Sequence, residues 1–337
     1  MITTLRIVVL CLLSTPTFGQ TLRPNVKSLV DSIIQYDKLD DIYIDYSAIT
    51  SERYRYRRLN LLTEISSSKE LLELTANKSS VIKCVAFQSL CSKDSIDIIP
   101  IVTSHLYDTS LVRLKLGCIG LQQMIGDYFL LAFYYYLSTK SSSYFMNNHS
   151  RLANIDSLLL YDPKMRLAIK EEKIKRINSD PKYYDRIRDI AINERIPVSV
   201  LALAKYKKQK DKEIIKSYLS EEKTQYYAIW AVREFPDTTF YPLLVKLFNK
   251  KWRERHYNYA KWRILYQALA QYPNEKTLEL FDKTINARNK FKQETLGRYL
   301  TIAITKYPNT LFDKYQNKVM IDPFHKDSLV EEANIED

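Results

Sequence analysis

The chain has 337 residues, is 46% hydrophobic and carries a formal net charge of +12 at pH 7. That hydrophobic fraction can fill a continuous core, and the length suits either two ordinary domains or one elongated array. Five glycines are too few for glycine-rich phosphate loops or for a β architecture with many tight turns, so the composition favours helices.

The first nineteen residues have the pattern of a cleaved signal peptide. A single cation, Arg6, precedes an apolar run over residues 7–13, and the small residues that follow suit cleavage before Gln20. The run is too short to span a bilayer. Cys11 follows Leu10 inside this run, whereas a lipoprotein cysteine needs small residues before it. We therefore expect a soluble protein exported to the periplasm or outside the cell.

Residues 20–53 are predicted to form a capping segment for a helical array. The apolar residues of 26–36 recur at helical spacing, which predicts an amphipathic helix that covers the open end of the array. Residues 54–76 predict a less regular first hairpin. Within it, Ser67 and Glu70 have the spacing of a capping box, which places the start of a short helix directly after Ser67.

Six stretches of the chain share one pattern centred on a small residue. Apolar residues lie four positions before it, one position after it and four positions after it, as on one face of a helix. Four of the five intervals between successive centres are 34, 29, 37 and 35 residues, whereas the interval from Gly120 to Ala202 is 82 residues. Such a period is typical of stacked helical hairpins, because one hairpin cannot bury its apolar face alone. The small residues are Ala86, Gly120, Ala202, Ala231, Ala268 and Ala303.

A second helix is predicted at a fixed offset after the first. In three copies a proline ends the first helix, at Pro236, Pro273 and Pro308, because proline cannot continue a helix. Apolar pairs then recur one helical turn apart, which predicts the second helix of each hairpin. These pairs are Ala132/Phe133 with Tyr136/Leu137, Ile214/Ile215 with Tyr218/Leu219, Leu243/Leu244 with Leu247/Phe248, and Leu280/Phe281 with Thr284/Ile285.

The copy around Ala86 resembles a HEAT repeat of the armadillo-like α-solenoids. That family usually shows a Val-Arg pair, then a small residue, then Ala-Leu. Here Ile82-Lys83 precedes Ala86 and Ser89-Leu90 follows it, whereas the other copies keep the small and apolar positions but lack the arginine. The resemblance implies an all-α fold, an α-solenoid of stacked antiparallel helical hairpins in a right-handed superhelical array. Such scaffolds serve many tasks, so the resemblance is nearly silent on function.

HEAT-like repeats are thus predicted over residues 54–137 and again over 197–320. Residues 138–196 predict an irregular helical connection, because residues 138–150 are polar and rich in turn formers. Residues 321–337 predict an acidic, flexible tail.

Three cysteines follow the signal peptide: Cys84, Cys91 and Cys118. Cys84 and Cys118 each lie two residues before the small residue of adjacent copies, which predicts equivalent positions on stacked helices. Packed helices are roughly 8–10 Å apart, beyond the limit of about 7 Å between the Cα atoms of a disulfide. We therefore expect small buried thiols. The cysteines and histidines also lack the close spacing of a metal site, so we expect no metal.

The most basic part of the chain ends in residues 250–263, where cations alternate with aromatic residues. Cations beside aromatic faces can bind a nucleic-acid backbone, an anionic glycan or an acidic protein surface. Alternatively, these aromatic residues belong to the core. Tyrosines at 134–136, 183–184 and 226–227 are further candidates for a protein interface. The candidate anion-binding or partner-binding residues are Lys250, Lys251, Trp252, Arg253, Arg255, Tyr257, Lys261 and Arg263.

The chain lacks the common catalytic motifs H-E-x-x-H, G-x-S-x-G, the P-loop and G-x-G-x-x-G. Its four histidines are isolated. We therefore expect a non-enzymatic scaffold without cofactor, whose second helices line a concave surface that binds a protein or peptide. One alternative is a binder of an anionic polymer, either a cell-envelope glycan or a nucleic acid as in the HEAT-like DNA glycosylases, although export argues against nucleic acid. An enzyme with a dispersed site also stays open.

Overall fold

The computed structural model describes residues 22–35, 57–93, 96–116, 119–254, 258–315 and 318. Over these residues the chain is mostly helical, in agreement with the predicted all-α class. Within the same ranges, each helix is too short or too polar to cross a membrane. The predicted signal peptide and acidic tail lie outside the described residues. The chain divides into two compact units, Met1–Leu152 and Ala153–Asp337.

The first unit consists of short helices and one β-hairpin in the part of it that the structure describes. A last helix, α7, continues from this unit into the second. The elements are α1 (Pro24–Gln35), α2 (Arg57–Ile65), α3 (Ser68–Leu74), α4 (Ser80–Cys91), α5 (Ile98–His105), β1 (Leu111–Leu116), β2 (Ile119–Met124), α6 (Ile125–Ser138) and α7 (Ser142–Tyr161).

Two local sequence patterns in the first unit, a capping box and an amphipathic helix, are present in the structure. The capping box is present, because the Ser67 hydroxyl accepts a hydrogen bond from the Glu70 amide at 3.2 Å and the Glu70 carboxylate accepts one from the Ser67 amide at 2.8 Å. The predicted amphipathic helix is α1, which buries Val26, Val30 and Ile33 against α2 and α4. Each element therefore begins or packs where its sequence pattern indicates.

Gly120 does not lie in a helix, and this prediction was wrong. It is part of β2, which pairs with β1 in an antiparallel hairpin that places Lys115 opposite Gly120. The physical reason lies in the alternation of β1: Val112 and Leu114 are buried while Arg113 between them is exposed, which is the two-residue period of a strand. The hairpin thus replaces the predicted first helix, and the interval from Ala86 to Gly120 is not a helical repeat.

The cysteines do not occupy the predicted equivalent positions, because β2 is a strand. Cys118 lies outside the described residues, and the strand that begins at Ile119 removes the predicted stacked-helix position beside Cys84. Cys84 and Cys91 carry free thiols, the first buried and the second half-buried. Burial raises the pKa of the Cys84 thiol well above its ordinary value and raises that of Cys91 to about 12. Both thiols are therefore protonated and weakly reactive at neutral pH.

The turn-rich segment predicted after residue 138 is also helical, because α7 begins at Ser142. Most of its residues up to position 150 are exposed, whereas Ile155, Leu159 and Leu160 are buried. The apolar second half of α7 therefore provides the packing, and the polar first half continues the same helix into solvent. Local turn propensity was overridden by tertiary burial.

The second unit is a succession of helices joined by short 3₁₀ turns. One π-helical turn, Ile190–Glu194, extends the helix before it. The helices are α8 (Ile169–Lys175), α9 (Tyr184–Asp189), α10 (Ser199–Ala204), α11 (Lys212–Ser220), α12 (Gln225–Glu234), α13 (Tyr241–Trp252), α14 (Tyr259–Ala270), α15 (Glu275–Ile285) and α16 (Lys290–Lys306), and a 3₁₀ turn, Thr310–Tyr315, follows.

Four of these helices carry the predicted small residues and pack in series. Helix α10 contacts α12, α12 contacts α14, and α14 contacts α16. Their small residues, Ala202, Ala231, Ala268 and Ala303, are fully buried, as the pattern predicts for positions where backbones approach closely. Each second helix contacts the first helix that follows it, α11 with α12, α13 with α14 and α15 with α16. In addition, α10 contacts α11, and α13 contacts α15.

The ends of these helices follow from identifiable residues. Helices α12, α14 and α16 end one or two residues before the predicted aromatic-proline pairs, as expected. The starts of α14, α15 and α16 are set by Asn258, Asn274 and Asn289. The side-chain oxygen of each asparagine accepts a hydrogen bond from the backbone amide three positions later in the chain, at 2.9 to 3.0 Å. On each of α11, α13 and α15, three of the four predicted pair residues are buried, and the fourth is half-buried. The half-buried residues are Ile214, Leu243 and Ile285.

Candidate functional site

The predicted basic and aromatic stretch spans the last turn of α13, the connection after it and the first turns of α14. The structure places Lys250, Lys251 and Trp252 on α13 and Lys261 and Arg263 on α14. Arg253 is exposed directly after α13. The remaining two predicted residues, Arg255 and Tyr257, lie outside the described residues.

Three of these lysines surround one carboxylate, in what we name the Glu222 cluster: Glu222, Lys250, Lys251 and Lys261. The ammonium groups of Lys251, Lys261 and Lys250 lie 2.6, 2.9 and 3.5 Å from the Glu222 carboxylate. Lys261 also donates to the backbone oxygen of Glu222 at 2.9 Å. The side chains of Lys251 and Lys261 are only 12% and 13% exposed, whereas that of Lys250 is 61% exposed. Two of the predicted cations therefore point into the fold.

The electrostatics of the Glu222 cluster agree with this geometry. Hydrogen bonds from Lys251, and then from Lys261, lower the pKa of Glu222 from 4.5 to about 2, against the opposing effect of burial. The carboxylate is thus fully ionised at neutral pH and offsets part of the lysine charge. Lys251 also pairs with Glu254 at 3.1 Å. The cluster is consequently an ion-pair network at the surface, in which Lys251 and Lys261 are mostly buried and Lys250 is exposed.

The aromatic residues of the stretch mostly belong to the core. Trp262 is 3% exposed, and its ring meets Phe248 edge-on with the ring centroids 5.1 Å apart. Trp252 stacks on Phe248 at 5.6 Å and is covered by the ammonium of Lys292, 3.8 Å from the centre of the indole ring. Lys292 further donates to the Trp252 carbonyl at 2.7 Å. The alternative interpretation, that these rings fill the core, holds for both tryptophans.

Arg263 lies elsewhere, in an open groove between α14 and α16 with a cavity volume of about 420 Å³. We name this feature the arginine groove. It combines two arginines with two tyrosines and small side chains, and no Asp or Glu is among its described lining residues. These are Tyr259, Ala260, Arg263, Thr295, Arg298 and Tyr299.

Arg298 is not among the predicted residues, although the sequence contains a signal for it. Arg263 lies five residues before Ala268, and Arg298 lies five residues before Ala303. The two arginines therefore occupy equivalent positions of successive repeats, and the contact between α14 and α16 brings them to one groove. Aligning the copies on their small residues would have paired them.

The predicted interface tyrosines divide between surface and core. Tyr134 and Tyr135 are 37% and 36% exposed on α6, but Tyr136 next to them is buried. Tyr184 is buried and donates a hydrogen bond to Asp211 at 2.8 Å. Tyr226 and its neighbour are half-buried and meet edge-on at 5.2 Å. Tyr183 is also half-buried, so Tyr134 and Tyr135 are the exposed members of this set and remain candidates for contact with a partner.

The described histidines have no catalytic arrangement. The His105 ring lies within hydrogen-bond distance of the carbonyls of Ile101 and Thr75, at 2.9 and 3.0 Å, and stacks on Phe129 with the ring centroids 4.3 Å apart. His149 is exposed on α7. Among the residues that the structure describes, no three His, Cys, Asp or Glu side chains are arranged to hold a metal ion.

Comparison with known protein families, with curated proteins and with solved structures found no match to this chain.

Proposed function

We propose that this protein is a HEAT-like scaffold whose residues 197–320 form an α-solenoid of stacked hairpins in a right-handed superhelical array, and that it binds a protein or peptide partner. The observation that carries the proposal is the series of first helices, α10, α12, α14 and α16, which pack on one another through fully buried alanines. A series of equivalent hairpins presents equivalent positions at regular spacing, which suits recognition of an extended partner.

The second helices supply the binding surface in this proposal. Lys246 on α13 and Lys283 on α15 are exposed and each follows the small residue of its copy by fifteen positions, 231 to 246 and 268 to 283. Lys250, one turn after Lys246, is exposed on the same helix. Repeated lysines on adjacent helices favour a partner with an acidic surface, because complementary charge directs association and selects partners.

Charge reversal tests this surface. The protein lacking its first nineteen residues is immobilised and used to capture proteins from a cell-envelope extract at low and at high salt, alongside the variant Lys246→Glu/Lys283→Glu. We expect a discrete set of proteins that is lost with the variant and is reduced by salt. The matched control is Lys164→Glu/Lys207→Glu, which changes two exposed lysines in loops of the same unit. Equal capture by all three forms, or none by the starting protein, would contradict the proposal.

Export belongs to the same proposal and rests on the pattern of residues 1–19. Expression of the whole chain with its own N-terminus, followed by intact mass measurement of the exported product, tests it. A mature protein that begins at Gln20 is the expected result. Retention of the full-length chain inside the cell would argue against export.

Binding of an anionic polymer through residues 250–263 remains the second candidate. The exposed side chains of Lys250 and Arg253 favour it, whereas Lys251 and Lys261 are paired with Glu222. A polyanion binder loses affinity linearly in the logarithm of salt concentration. Retention on a heparin column at increasing salt therefore tests this alternative separately from the protein partner.

A further inference from the structure

His105 lies between the C-terminal ends of two helices of the first unit. It is the last residue of α5, and its Nε2 atom is 3.0 Å from the carbonyl oxygen of Thr75, which caps the C-terminus of α3. Its Nδ1 atom is 2.9 Å from the carbonyl oxygen of Ile101, one turn earlier in α5. We propose that His105 is a pH-sensitive link between α3 and α5, whose imidazolium form donates to both carbonyls and whose neutral form donates to only one. This inference does not depend on the proposed scaffold function.

The hydrogen-bond partners of the ring favour the imidazolium form. A carbonyl oxygen only accepts hydrogen bonds, and a neutral imidazole carries a single N–H group. The neutral ring therefore turns a nitrogen lone pair toward one of the two carbonyl oxygens, which is repulsive. An imidazolium carries two N–H groups and donates to both carbonyls. The half-buried position of His105 makes the unmade hydrogen bond of the neutral ring more costly than it would be in water.

Three elements around the ring stabilise a positive charge on it. The last carbonyls of a helix carry partial negative charge, which favours a cation at the C-terminus, and both α3 and α5 end at this ring. The ring of Phe129, on α6, stacks on that of His105 with an interplanar angle of 26°. The face of an aromatic ring attracts a cation. Protonation of His105 therefore strengthens its contacts with α3, α5 and α6 together.

Ser104 provides the neutral ring with a partial alternative. Its hydroxyl oxygen lies 3.1 Å from Nδ1 of His105 and 2.8 Å from the carbonyl oxygen of Ile101. The hydroxyl has one proton, so it donates to Nδ1 only by giving up its hydrogen bond to the carbonyl. The neutral ring is thus accommodated at the loss of one hydrogen bond, which makes the link reversible.

Other titratable and charged groups lie on the elements around the ring. Among the described residues, the ring nitrogens of His105 contact two carbonyls and one hydroxyl but no carboxylate. A pH response caused by another group persists when His105 is replaced, so it can be separated from the response of the ring. These groups include Glu73 on α3, Lys83 and Cys84 on α4, Asp108 after α5, and Asp127 and Tyr128 on α6, of which Lys83 and Asp108 pair with each other at 2.6 Å.

Nitrogen-15 NMR of the histidine side chains tests the protonation of the ring. The chain has four histidines, and comparison with the spectrum of His105→Gln identifies the signals of this one. We expect both ring nitrogens to carry protons at about pH 5.5 and one of them to have lost its proton at about pH 8, within the range in which histidine titrates. A ring that carries a single proton over this whole range would overturn the inference.

Hydrogen exchange measures the consequence for the two helix ends. The amides of Ala76 and Asn77 donate to carbonyls in the last turn of α3, and those of Leu106 and Asp108 donate to carbonyls at the end of α5. Their protection factors, corrected for the intrinsic pH dependence of exchange, should be about fivefold lower at about pH 8 than at about pH 5.5, because the ring loses one hydrogen bond. In His105→Gln the protection should be equal at the two pH values, because glutamine does not titrate.

Two further variants serve as controls. His149 is an exposed histidine on α7 in the same unit, and His149→Gln should keep the full pH response of protection. Ser104→Ala should enlarge the response, because the neutral ring then has no hydroxyl that donates to Nδ1. Circular dichroism establishes that each variant is folded, and the NMR titration and Ser104→Ala carry the test if His105→Gln is not. Equal protection at both pH values in the starting protein, or the same pH response in folded His105→Gln, would overturn the inference.

Discussion

The Glu222 cluster and the arginine groove both use cations from one basic stretch, but those cations meet different parts of the fold. In the cluster, Lys251 and Lys261 donate to the carboxylate of Glu222, in the connection between α11 and α12, at 2.6 and 2.9 Å. In the groove, Arg263 on α14 shares the lining with Arg298 on α16. An excess of cations in a sequence window therefore does not identify an anion site, because the surroundings of each cation come from elsewhere in the chain.

The largest effect is expected when the carboxylate is removed from the Glu222 cluster. In Glu222→Gln, the mostly buried Lys251 and Lys261 lose their shared partner. We expect the free energy of unfolding to fall by about 1 kcal/mol, a modest figure because solvent screens the half-exposed carboxylate. Heparin retention should increase at the same time, because the cluster loses one negative charge beside its three lysines. Urea unfolding and a heparin salt gradient measure the two effects.

Glu221→Gln is the control for that variant. Glu221 is the neighbouring residue, and it pairs with Arg195 through side chains that are both more than a third exposed. Its removal should cost less stability than removal of Glu222. If Glu222→Gln leaves heparin retention unchanged, the lysines of the cluster do not form a latent anion site.

The pH dependence of stability sharpens the same comparison. The folded pKa of Glu222 is about 2, below its ordinary value of 4.5. Because the folded pKa is lowered, the ionised carboxylate contributes its full stabilisation when the pH is above the ordinary pKa. This contribution is lost as the pH falls toward the folded pKa of about 2. The stability difference between the starting protein and Glu222→Gln should therefore be constant above about pH 5 and shrink between pH 4.5 and 2. A difference that persists unchanged in acid would contradict the ion-pair explanation.

The helices of the second unit could be predicted because several local signals agree there. Around Ala268, helical spacing of apolar residues, an asparagine cap at Asn258 and a stop before Pro273 all specify one helix. Around Gly120, the spacing of the apolar residues relative to the glycine was the only one of these signals present. Those offsets fit the residues near Gly120, but the strand alternation of Leu111–Leu116 was the more specific signal and was not weighed. The pairing of two strands depends on the sequences of both strands, so it cannot be predicted from one sequence window.

The candidate site was less predictable because its parts come from different copies. Arg263 belongs to the basic stretch, but Arg298 comes from the next copy, thirty-five residues later in the chain. Glu222, which accepts hydrogen bonds from Lys251 and Lys261, comes from the connection between α11 and α12, about thirty and forty residues earlier in the chain. A count of charged residues in one sequence window therefore shows which charges are present, but it does not show which of them form ion pairs. Alignment of the copies supplies Arg298, whereas the position of Glu222 follows only from the folded contacts.

The smallest effect is expected at the exposed edge of the cluster. Lys250 is 61% exposed and 3.5 Å from Glu222, and Arg253 is exposed after α13. In Lys250→Gln/Arg253→Gln the free energy of unfolding should change by less than about 0.5 kcal/mol, because exposed charges contribute little. Elution from heparin should move to slightly lower salt. By contrast, Lys251→Gln alone should lower the free energy of unfolding measurably, because the mostly buried Lys251 side chain loses its ion pair with Glu222. If Lys250→Gln/Arg253→Gln destabilised the protein more than Lys251→Gln, the division of this stretch into buried and exposed cations would be wrong.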